Sequence, residues 1–182
     1  MLPIIAEVMD NQFGNYLCQK IIEVADLTTI SSIVNQILDN IVDISLNLHG
    51  TRAVQTLIDR LALKVINDQK NGRIMNTLSH ATLMMVIQAL NEEVVELTMD
   101  MHGNHVIQAF LMVFKASNHP ADLDLPGSDL TSQYTQFIFD ACMQNCVDIG
   151  KHKHGCCVMQ RCLEKGTRMQ KLELANYIIE HI

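Results

Sequence analysis

The sequence has few aromatic residues and no excess of basic residues. Aromatic residues make up 4% of the 182 residues, whereas hydrophobic residues of all kinds make up 48%. A composition rich in Leu, Ile, Val and Met suits helices packed on helices better than an aromatic-rich β-sandwich. The formal net charge of -7 argues against a domain that binds nucleic acid mainly through charge, because such domains carry a basic excess. We therefore expect a single all-α domain.

The sequence also has no long uncharged apolar segment and no secretory signal ahead of its cysteines. A membrane-spanning helix needs roughly 18 consecutive apolar residues, and no run approaches this length. The six cysteines are therefore interpreted as reduced intracellular thiols and not as a disulfide framework. We expect a cytoplasmic location.

Four related segments share the pattern G-x-x-x-x-Q. They are FGNYLCQKII (13–22), HGTRAVQTLI (49–58), HGNHVIQAFL (102–111) and HGCCVMQRCL (154–163). If the residue after the glycine is called position 1, the spacings between successive copies are 36, 53 and 52 residues. One period near 36 fits if the later copies carry insertions. Residues 115–133, rich in Pro, Gly, Ser and Asp, are predicted to form a loop insertion, and residues 67–72 a shorter break.

Within each segment the apolar residues follow a helical period. Positions 3, 4, 7 and 8 are apolar and fall on one stripe of a helix, whereas positions 1, 2 and 5 fall together on another sector. The pattern predicts four helices, which we call the reading helices, near 15–25, 51–61, 104–114 and 156–165. Helix-like segments such as 31–42 and 81–98 precede them. Stacked copies of such units would form an α-solenoid.

The polar sector is suited to binding a flat ligand. Positions 1 and 5 are one turn apart, about 6 Å along the axis, so two short polar side chains there can grip one edge of a nucleobase. An Asn and Gln pair can satisfy the edge of uracil, and a Cys or Thr opposite Gln leaves room for a purine. These base-edge positions are Asn15 and Gln19, Thr51 and Gln55, Asn104 and Gln108, and Cys156 and Gln160.

Position 2 projects toward the neighbouring repeat. Three of the four copies carry a planar group there on which a base can stack. These stacking positions are Tyr16, Arg52, His105 and Cys157, of which Cys157 alone lacks a planar group. The motifs F-G-N-Y-x-x-Q, H-G-x-R-x-x-Q and G-N-H-x-x-Q closely resemble the reading helices of Pumilio-type (PUF) repeats. The resemblance covers nearly the whole chain apart from the insertions.

The resemblance implies a right-handed α-solenoid of three-helix repeats that binds single-stranded RNA, one base per repeat, with the RNA antiparallel to the repeats. By this resemblance, Asn15 with Gln19 would read uracil, and Thr51 with Gln55 would read adenine. The third base-edge pair would read uracil and the fourth would read adenine. The predicted core is 5′-AUAU-3′ in the 3′ untranslated region of an mRNA. Repression and decay of mRNA, with recruitment of deadenylation or repression proteins, would follow. No cofactor, metal or enzymatic activity is implied.

The resemblance also implies that the chain is a piece of a longer array. Its triplets resemble the second to fifth repeats of an eight-repeat domain, and residues 167–182 resemble the opening helix of a further repeat. Solenoid ends normally carry polar caps, and none is evident. We therefore expect this piece to bind RNA weakly or to associate with itself.

Three other functions would account for parts of the sequence. The string His152, His154, Cys156 and Cys157 contains common zinc ligands, but His49 and His102 occupy the position of His154 without cysteines, which favours a structural role. Cys/His hydrolysis is disfavoured because no nucleophile is accompanied by a base and an orienting group. A protein-interaction solenoid would explain the negative charge, but it leaves the fourfold polar sector unexplained.

Overall fold

The computed structural model describes residues 4–72, 77–115 and 130–181, which contain helices and turns and no strand. A single turn of 3-10 helix, Leu38–Asn40, lies between the helices Leu27–Ile37 and Ile41–Leu46. None of the helices in these ranges has the length and apolar character that crossing a membrane requires. The helices are α1 (Ile4–Asp10), α2 (Gly14–Val24), α3 (Leu27–Ile37), α4 (Ile41–Leu46), α5 (Gly50–Lys70), α6 (Leu78–Asn91), α7 (Val94–Met99), α8 (Gly103–Val113), α9 (Leu130–Gln144), α10 (Cys146–Lys151), α11 (Gly155–Lys165) and α12 (Arg168–His181).

The helices are arranged in three parallel rows. In the row of reading helices, α2 packs on α5, α5 on α8 and α8 on α11. The short helices α1, α4, α7 and α10 form a middle row, and α3, α6, α9 and α12 form an outer row, each helix contacting the next in its row. A repeat therefore consists of an outer, a short and a reading helix, as in α6, α7 and α8. This arrangement confirms the predicted all-α solenoid.

The apolar stripe of the reading helices supplies much of the core. All four predicted positions are buried in α5 and α8, and burial of each Leu or Ile there stabilises the fold by about 1.5–3 kcal/mol. Two residues of the stripe, Leu17 and Leu163, are instead 59% and 37% exposed. Their helices, α2 and α11, contact another reading helix on one side only within the described residues, so one flank of each lies uncovered.

Side-chain caps fix where three of the outer helices begin. Asp26 accepts a hydrogen bond from the backbone N–H of Thr29 at 2.8 Å, and Thr77 accepts one from His80 at 3.2 Å. At α12 the bonds are reciprocal, because the Gln170 N–H donates to the Thr167 hydroxyl and the Thr167 N–H donates to the Gln170 side chain. This is a capping box, which satisfies two backbone donors at the start of a helix.

The predicted break at 67–72 begins later than expected. Helix α5 continues to Lys70, and Gly72, with a φ of 72°, ends it in the left-handed region that glycine adopts without strain. The Asp68 carboxylate accepts a hydrogen bond from the Ser79 hydroxyl of α6 across this turn. Of the predicted insertion at 115–133, residues 116–129 lie outside the described residues, and 130–133 belong to α9.

Candidate nucleic-acid interface

A glycine begins each reading helix and lies against the backbone of the preceding short helix. A side chain at this point would strike a carbonyl oxygen six residues earlier in the chain. The distance from an added Cβ to that oxygen would be 2.5 Å for Gly14 and Val8, 2.5 Å for Gly50 and Ile44, 2.9 Å for Gly103 and Leu97, and 2.5 Å for Gly155 and Ile149. The glycine of the repeated motif therefore sets the close approach of the short helix to the reading helix.

A side chain that accepts hydrogen bonds recurs four positions before position 1 in every copy, although the residue type varies and the sequence pattern did not reveal it. It accepts hydrogen bonds from two backbone N–H groups at the start of the reading helix, which would otherwise lack partners. The acceptors and donors are Asn11 with Phe13 and Gly14 (2.9 and 3.0 Å), Asn47 with His49 and Gly50 (2.7 and 3.1 Å), Asp100 with His102 and Gly103 (2.7 and 2.7 Å), and His152 with His154 and Gly155 (3.3 and 3.4 Å). We call these four residues the turn acceptors.

The turn acceptors differ in chemistry. At Asp100, burial opposes ionisation, but the backbone N–H groups of Gly103, His102 and Met101 outweigh it and lower the pKa of the carboxyl. His152 accepts through Nδ1, which requires the neutral tautomer with its proton on Nε2, and its bonds are the longest of the set. The side chains of Asn, Asp and neutral His have in common only that each can accept a hydrogen bond. A search for identical residues in the repeats therefore does not find this shared role.

The first and third base-edge pairs have the same geometry. Asn15 Nδ2 donates to the carbonyl oxygens of Asn11 and Gln12, each at 3.0 Å, while Asn15 Oδ1 accepts from Gln19 Nε2 at 3.0 Å. In the third repeat, Asn104 Nδ2 donates to Asp100 and Met101 at 2.8 and 2.9 Å, and Asn104 Oδ1 accepts from Gln108 at 2.8 Å.

The position-1 asparagines are consequently fixed in place. Asn15 is 2% and Asn104 3% exposed, and both amide hydrogens of each are engaged in the turn. The two glutamines are only partly buried, and in the described chain their Oε1 atoms accept no hydrogen bond. Each pair thus presents a rigid asparagine oxygen beside a glutamine whose acceptor and second N–H remain available to a ligand.

The second and fourth pairs differ from this arrangement. The Gln55 amide donates to the carbonyl and hydroxyl oxygens of Thr51, and the Thr51 hydroxyl donates to the carbonyl oxygen of His102 at 3.1 Å. In the fourth pair the half-buried Cys156 thiol lies 3.4 Å from the Lys153 carbonyl oxygen. Gln160 is exposed and makes no hydrogen bond within the described residues, so this pair is open.

The four stacking positions are all exposed on the reading-helix row. Tyr16 is 70% exposed, and Arg52, His105 and Cys157 are also exposed. Partial burial lowers the pKa of His105, and the charges of Arg52, His102 and His154 lower it further. These influences come from three successive reading helices and their turns. The stacking residue Arg52 of the second repeat therefore lies close enough to His105 of the third for its charge to act on the imidazole.

The His/Cys string lacks the geometry of a metal site. His152 Nδ1 faces two backbone N–H groups, and the thiols of Cys156 and Cys157 both point at the Lys153 carbonyl oxygen, at 3.4 and 3.6 Å. Across residues 4–72, 77–115 and 130–181, no three His, Cys, Asp or Glu side chains are grouped so that they could hold a metal ion.

The sequence profile of the Pumilio-family RNA binding repeat matches residues 5–38, 40–62, 93–115 and 145–179. Each match contains the start of one of the four reading helices, with its glycine, its turn acceptor and its base-edge pair. The chain belongs to the Pumilio family. The part of α5 after residue 62 and the whole of residues 116–129 fall outside the Pumilio matches, in agreement with their distance from the repeated motif.

Relatives and solved structures share most of this chain. A Pumilio domain-containing protein of Schizosaccharomyces pombe is 35% identical over 98% of it, and the putative pumilio homolog 8 of Arabidopsis thaliana 30% over 98%. The Puf4 RNA binding domain, solved with an HO endonuclease RNA 3′ UTR recognition sequence, has a TM-score of 0.75 and 34% identity over 97% of this chain and 45% of its own. The yeast Puf5p domain bound to MFA2 RNA has a TM-score of 0.72 and 27% identity over 98% of this chain and 42% of its own. The chain spans 22% and 29% of the two curated Pumilio relatives.

Proposed function

We propose that this chain binds single-stranded RNA along its row of reading helices, one base per repeat. The observation that carries the proposal is the placement of four base-edge pairs on helices that pack one against the next. Position 5 is Gln in every copy, and position 2 is exposed in every copy. A row of separate polar pairs with exposed groups between them suits an extended strand of unstacked bases better than a compact small molecule.

The proposed sequence is 5′-AUAU-3′, read from the fourth repeat to the first. Asn15 with Gln19 and Asn104 with Gln108 would take uracil, because their shared geometry predicts a shared base. The smaller Thr51 and Cys156 leave room for adenine. The Puf4 and Puf5p domains were solved with RNA bound, which supports an RNA ligand for this Pumilio chain as well. The net charge is -7, so affinity would rest on stacking and base-edge bonds more than on phosphate neutralisation.

At the level of the whole protein, we propose binding to mRNA 3′ untranslated regions and regulation of the bound mRNA in the cytoplasm. The RNA solved with Puf4 is a 3′ UTR recognition sequence, which supports this choice of target. Deadenylation or repression proteins would be the partners that act on the mRNA. The role of this chain is that of a binding module and not of an enzyme.

Fluorescence anisotropy with labelled RNA tests the proposal. We expect an oligonucleotide containing AUAU to bind more tightly than one in which the four bases are rearranged to AAUU. Replacement of Gln55 by Ala should weaken binding of AUAU by about 1–3 kcal/mol, the range for a base-edge contact. Gln88, exposed on outer helix α6, supplies the matched control, and Gln88→Ala should leave the affinity unchanged. Equal affinity for both oligonucleotides would overturn the proposed reading and favour a protein-interaction solenoid.

A further inference from the structure

A groove of about 510 Å³ lies between the second and third repeats, in the outer and middle rows. Its walls are the 3-10 turn and α4 on one side and the last two turns of α6 on the other. Every residue that lines it within the described chain belongs to these elements or to the turn before α7, and none to a reading helix. The groove is therefore separate from the proposed RNA surface, and its volume lies in the range of roughly 300–1,000 Å³ that ligand sites occupy.

Four apolar side chains line the groove. Each is half-buried, so that part of its surface remains in contact with water, and the four are Leu38, Val42, Met85 and Ala89. An apolar side chain of a ligand seated between them would remove more of this surface from water, which is favourable. The apolar lining therefore favours a ligand that carries an apolar group.

Three carboxylates line the same groove and lack partners. Asp39, Glu92 and Glu93 are exposed, and within the described residues they take part in no hydrogen bond or ion pair. Residues 21–51 and 74–114 each contain four carboxylates and no Lys or Arg, so the helices around the groove offer no basic side chain to pair with them. The last turn of α6 also has no basic residue, and the partial negative charge of this helix end adds to that of the carboxylates. The groove therefore favours a cationic ligand and repels RNA phosphates.

The packing of the repeats does not require this acidic lining. One repeat further on, 52 residues later in the chain, Phe137 stands in the place of Met85, and the uncharged Gln144 and Asn145 stand in the places of Glu92 and Glu93. The outer and short helices of that repeat, α9 and α10, nevertheless pack in the same rows. The apolar and acidic combination is thus particular to the junction of the second and third repeats.

We propose that this groove is the docking site for a short peptide segment of a partner protein, in which basic residues flank an apolar side chain. The apolar side chain lies against Met85 and Ala89, and the Lys or Arg residues beside it pair with Asp39, Glu92 and Glu93. Charge complementarity selects this occupant, because the groove has three carboxylates without partners and the helices around it have no basic residue. The inference goes beyond RNA binding and does not depend on it.

The first experiment identifies the peptide. A library of random short peptides displayed on phage is selected for binding to the full chain. We expect the enriched sequences to combine Lys or Arg with Leu, Ile, Met or Phe. The absence of enrichment, or enrichment of acidic or uncharged sequences, would overturn the inference. The most enriched sequence is then synthesised with a fluorescent label and serves as the probe.

The second experiment locates the binding site with residues that the next repeat already carries. The double variant Glu92→Gln and Glu93→Asn should weaken binding of the labelled peptide by about two- to thirtyfold, the range for the loss of two exposed ion pairs. Added salt should weaken binding to the unchanged chain more than to this variant. The matched control, Glu173→Gln with Glu180→Asn, removes two exposed carboxylates of α12 and should leave the affinity unchanged. Equal losses in both double variants would mean that the peptide responds only to net charge, and the inference would fail.

A third variant tests the apolar lining. Met85→Phe places in the groove the larger residue that the next repeat has at the same position, so the apolar side chain of the peptide should no longer fit. We expect binding to weaken by roughly tenfold or more. The melting temperature of each variant shows whether the fold is kept. An unchanged affinity in Met85→Phe and in the Glu92 and Glu93 variant would place the peptide elsewhere.

Two further measurements separate this groove from other interactions of the chain. The labelled peptide should bind equally well with and without saturating AUAU oligonucleotide, and displacement of the peptide by RNA would overturn the inference. If the chain does not discriminate AUAU from AAUU, the proposed function fails and the groove stands. Light scattering tests a second copy of the chain as the occupant. If the unchanged chain self-associates and the Glu92→Gln, Glu93→Asn variant does not, the groove belongs to a second copy and the partner peptide is excluded.

Discussion

The Thr51 hydroxyl donates a hydrogen bond to the carbonyl oxygen of His102, 3.1 Å away and 51 residues later in the chain. Thr51 is the position-1 residue of the second repeat, and His102 immediately precedes reading helix α8 of the third. One base-edge position therefore also joins two repeats. The side chains of the asparagines at the same position in the first and third repeats bond only within their own repeats.

Removing this hydroxyl should destabilise the chain. In Thr51→Val the shape is nearly kept, but the His102 carbonyl oxygen, which also accepts from the backbone N–H of His105 at 3.1 Å, loses the Thr51 hydroxyl in a site where Thr51 is only 2% exposed. We expect a loss of about 0.5–1.5 kcal/mol in the free energy of unfolding, measured with urea. Thr56 is the matched control, because its hydroxyl donates to Arg52 within the same helix at a site open to solvent, and Thr56→Val should cost less than about 0.5 kcal/mol. Similar losses in both variants would mean that the link between repeats is not stabilising.

The third base-edge pair should be convertible from uracil to guanine. In the double variant Asn104→Ser and Gln108→Glu, the carboxylate can accept from the N1–H and N2–H₂ donors of guanine, whereas it would face the carbonyl oxygens of uracil. We expect binding of A-G-A-U to exceed that of A-U-A-U by roughly tenfold, measured by competition between the two oligonucleotides.

Asn104→Ser should also lower the stability of the fold. The effect on stability and the effect on base preference can therefore be measured separately. Serine cannot replace both hydrogen bonds that Asn104 Nδ2 donates to Asp100 and Met101. The melting temperature should therefore fall, while Gln108→Glu alone should keep these bonds. The control variant Gln88→Glu, which places a carboxylate on the outer row, should leave the preference between uracil and guanine unchanged. If the double variant loses affinity equally for both oligonucleotides, Gln108 supports the fold and does not read the base.

The weakest of the four turn acceptors should be improvable. His152 Nδ1 accepts from the N–H groups of His154 and Gly155 at 3.3 and 3.4 Å, against 2.7–3.1 Å for Asn11, Asn47 and Asp100. His152→Asn should stabilise the chain by about 0.5–1 kcal/mol, because Asn is a preferred residue at the start of a helix. Thermal unfolding gives the measurement. The reverse change, Asn47→His, should destabilise, and a gain in stability there would contradict the explanation.

Stability should depend on pH through His105. Its pKa in the folded chain lies below the ordinary value of 6.5, because burial and the charges of Arg52, His102 and His154 disfavour protonation. As the pH falls through 6.5, the unfolded chain takes up the proton first, so this residue makes the folded state less stable as acid is added. His105→Gln should lose less stability between pH 7 and pH 5 than the unchanged chain. His181→Gln, exposed at the end of α12, is the control and should keep the full dependence.

The features that could be predicted from the sequence are those carried by the same residue types in every repeat. Gly and Gln recur at fixed spacing, and the apolar period follows them, so the four reading helices and their polar sectors could be located. The turn acceptors were missed because His152 and Asp100 share a function without sharing a residue type. The length of α5 was missed because Asn67 to Lys70 are polar, turn-favouring residues that nevertheless continue the helix. The bond from Thr51 to His102 depends on how two repeats pack, which local spacing does not encode.

The arrangement in three rows also limits how far the effect of a substitution or a bound base can extend from one repeat to others. The principal contacts of every helix are made within its own repeat or with the repeat directly before or after it. Free energy in such a molecule is a sum of unit and nearest-neighbour terms, as in a one-dimensional lattice. Thermodynamic coupling between Gln19 and Gln160 must therefore pass through the three interfaces between successive repeats and diminish at each. Four bases bound along this lattice would be recognised nearly independently, so that specificity can change at one site without rewriting the others.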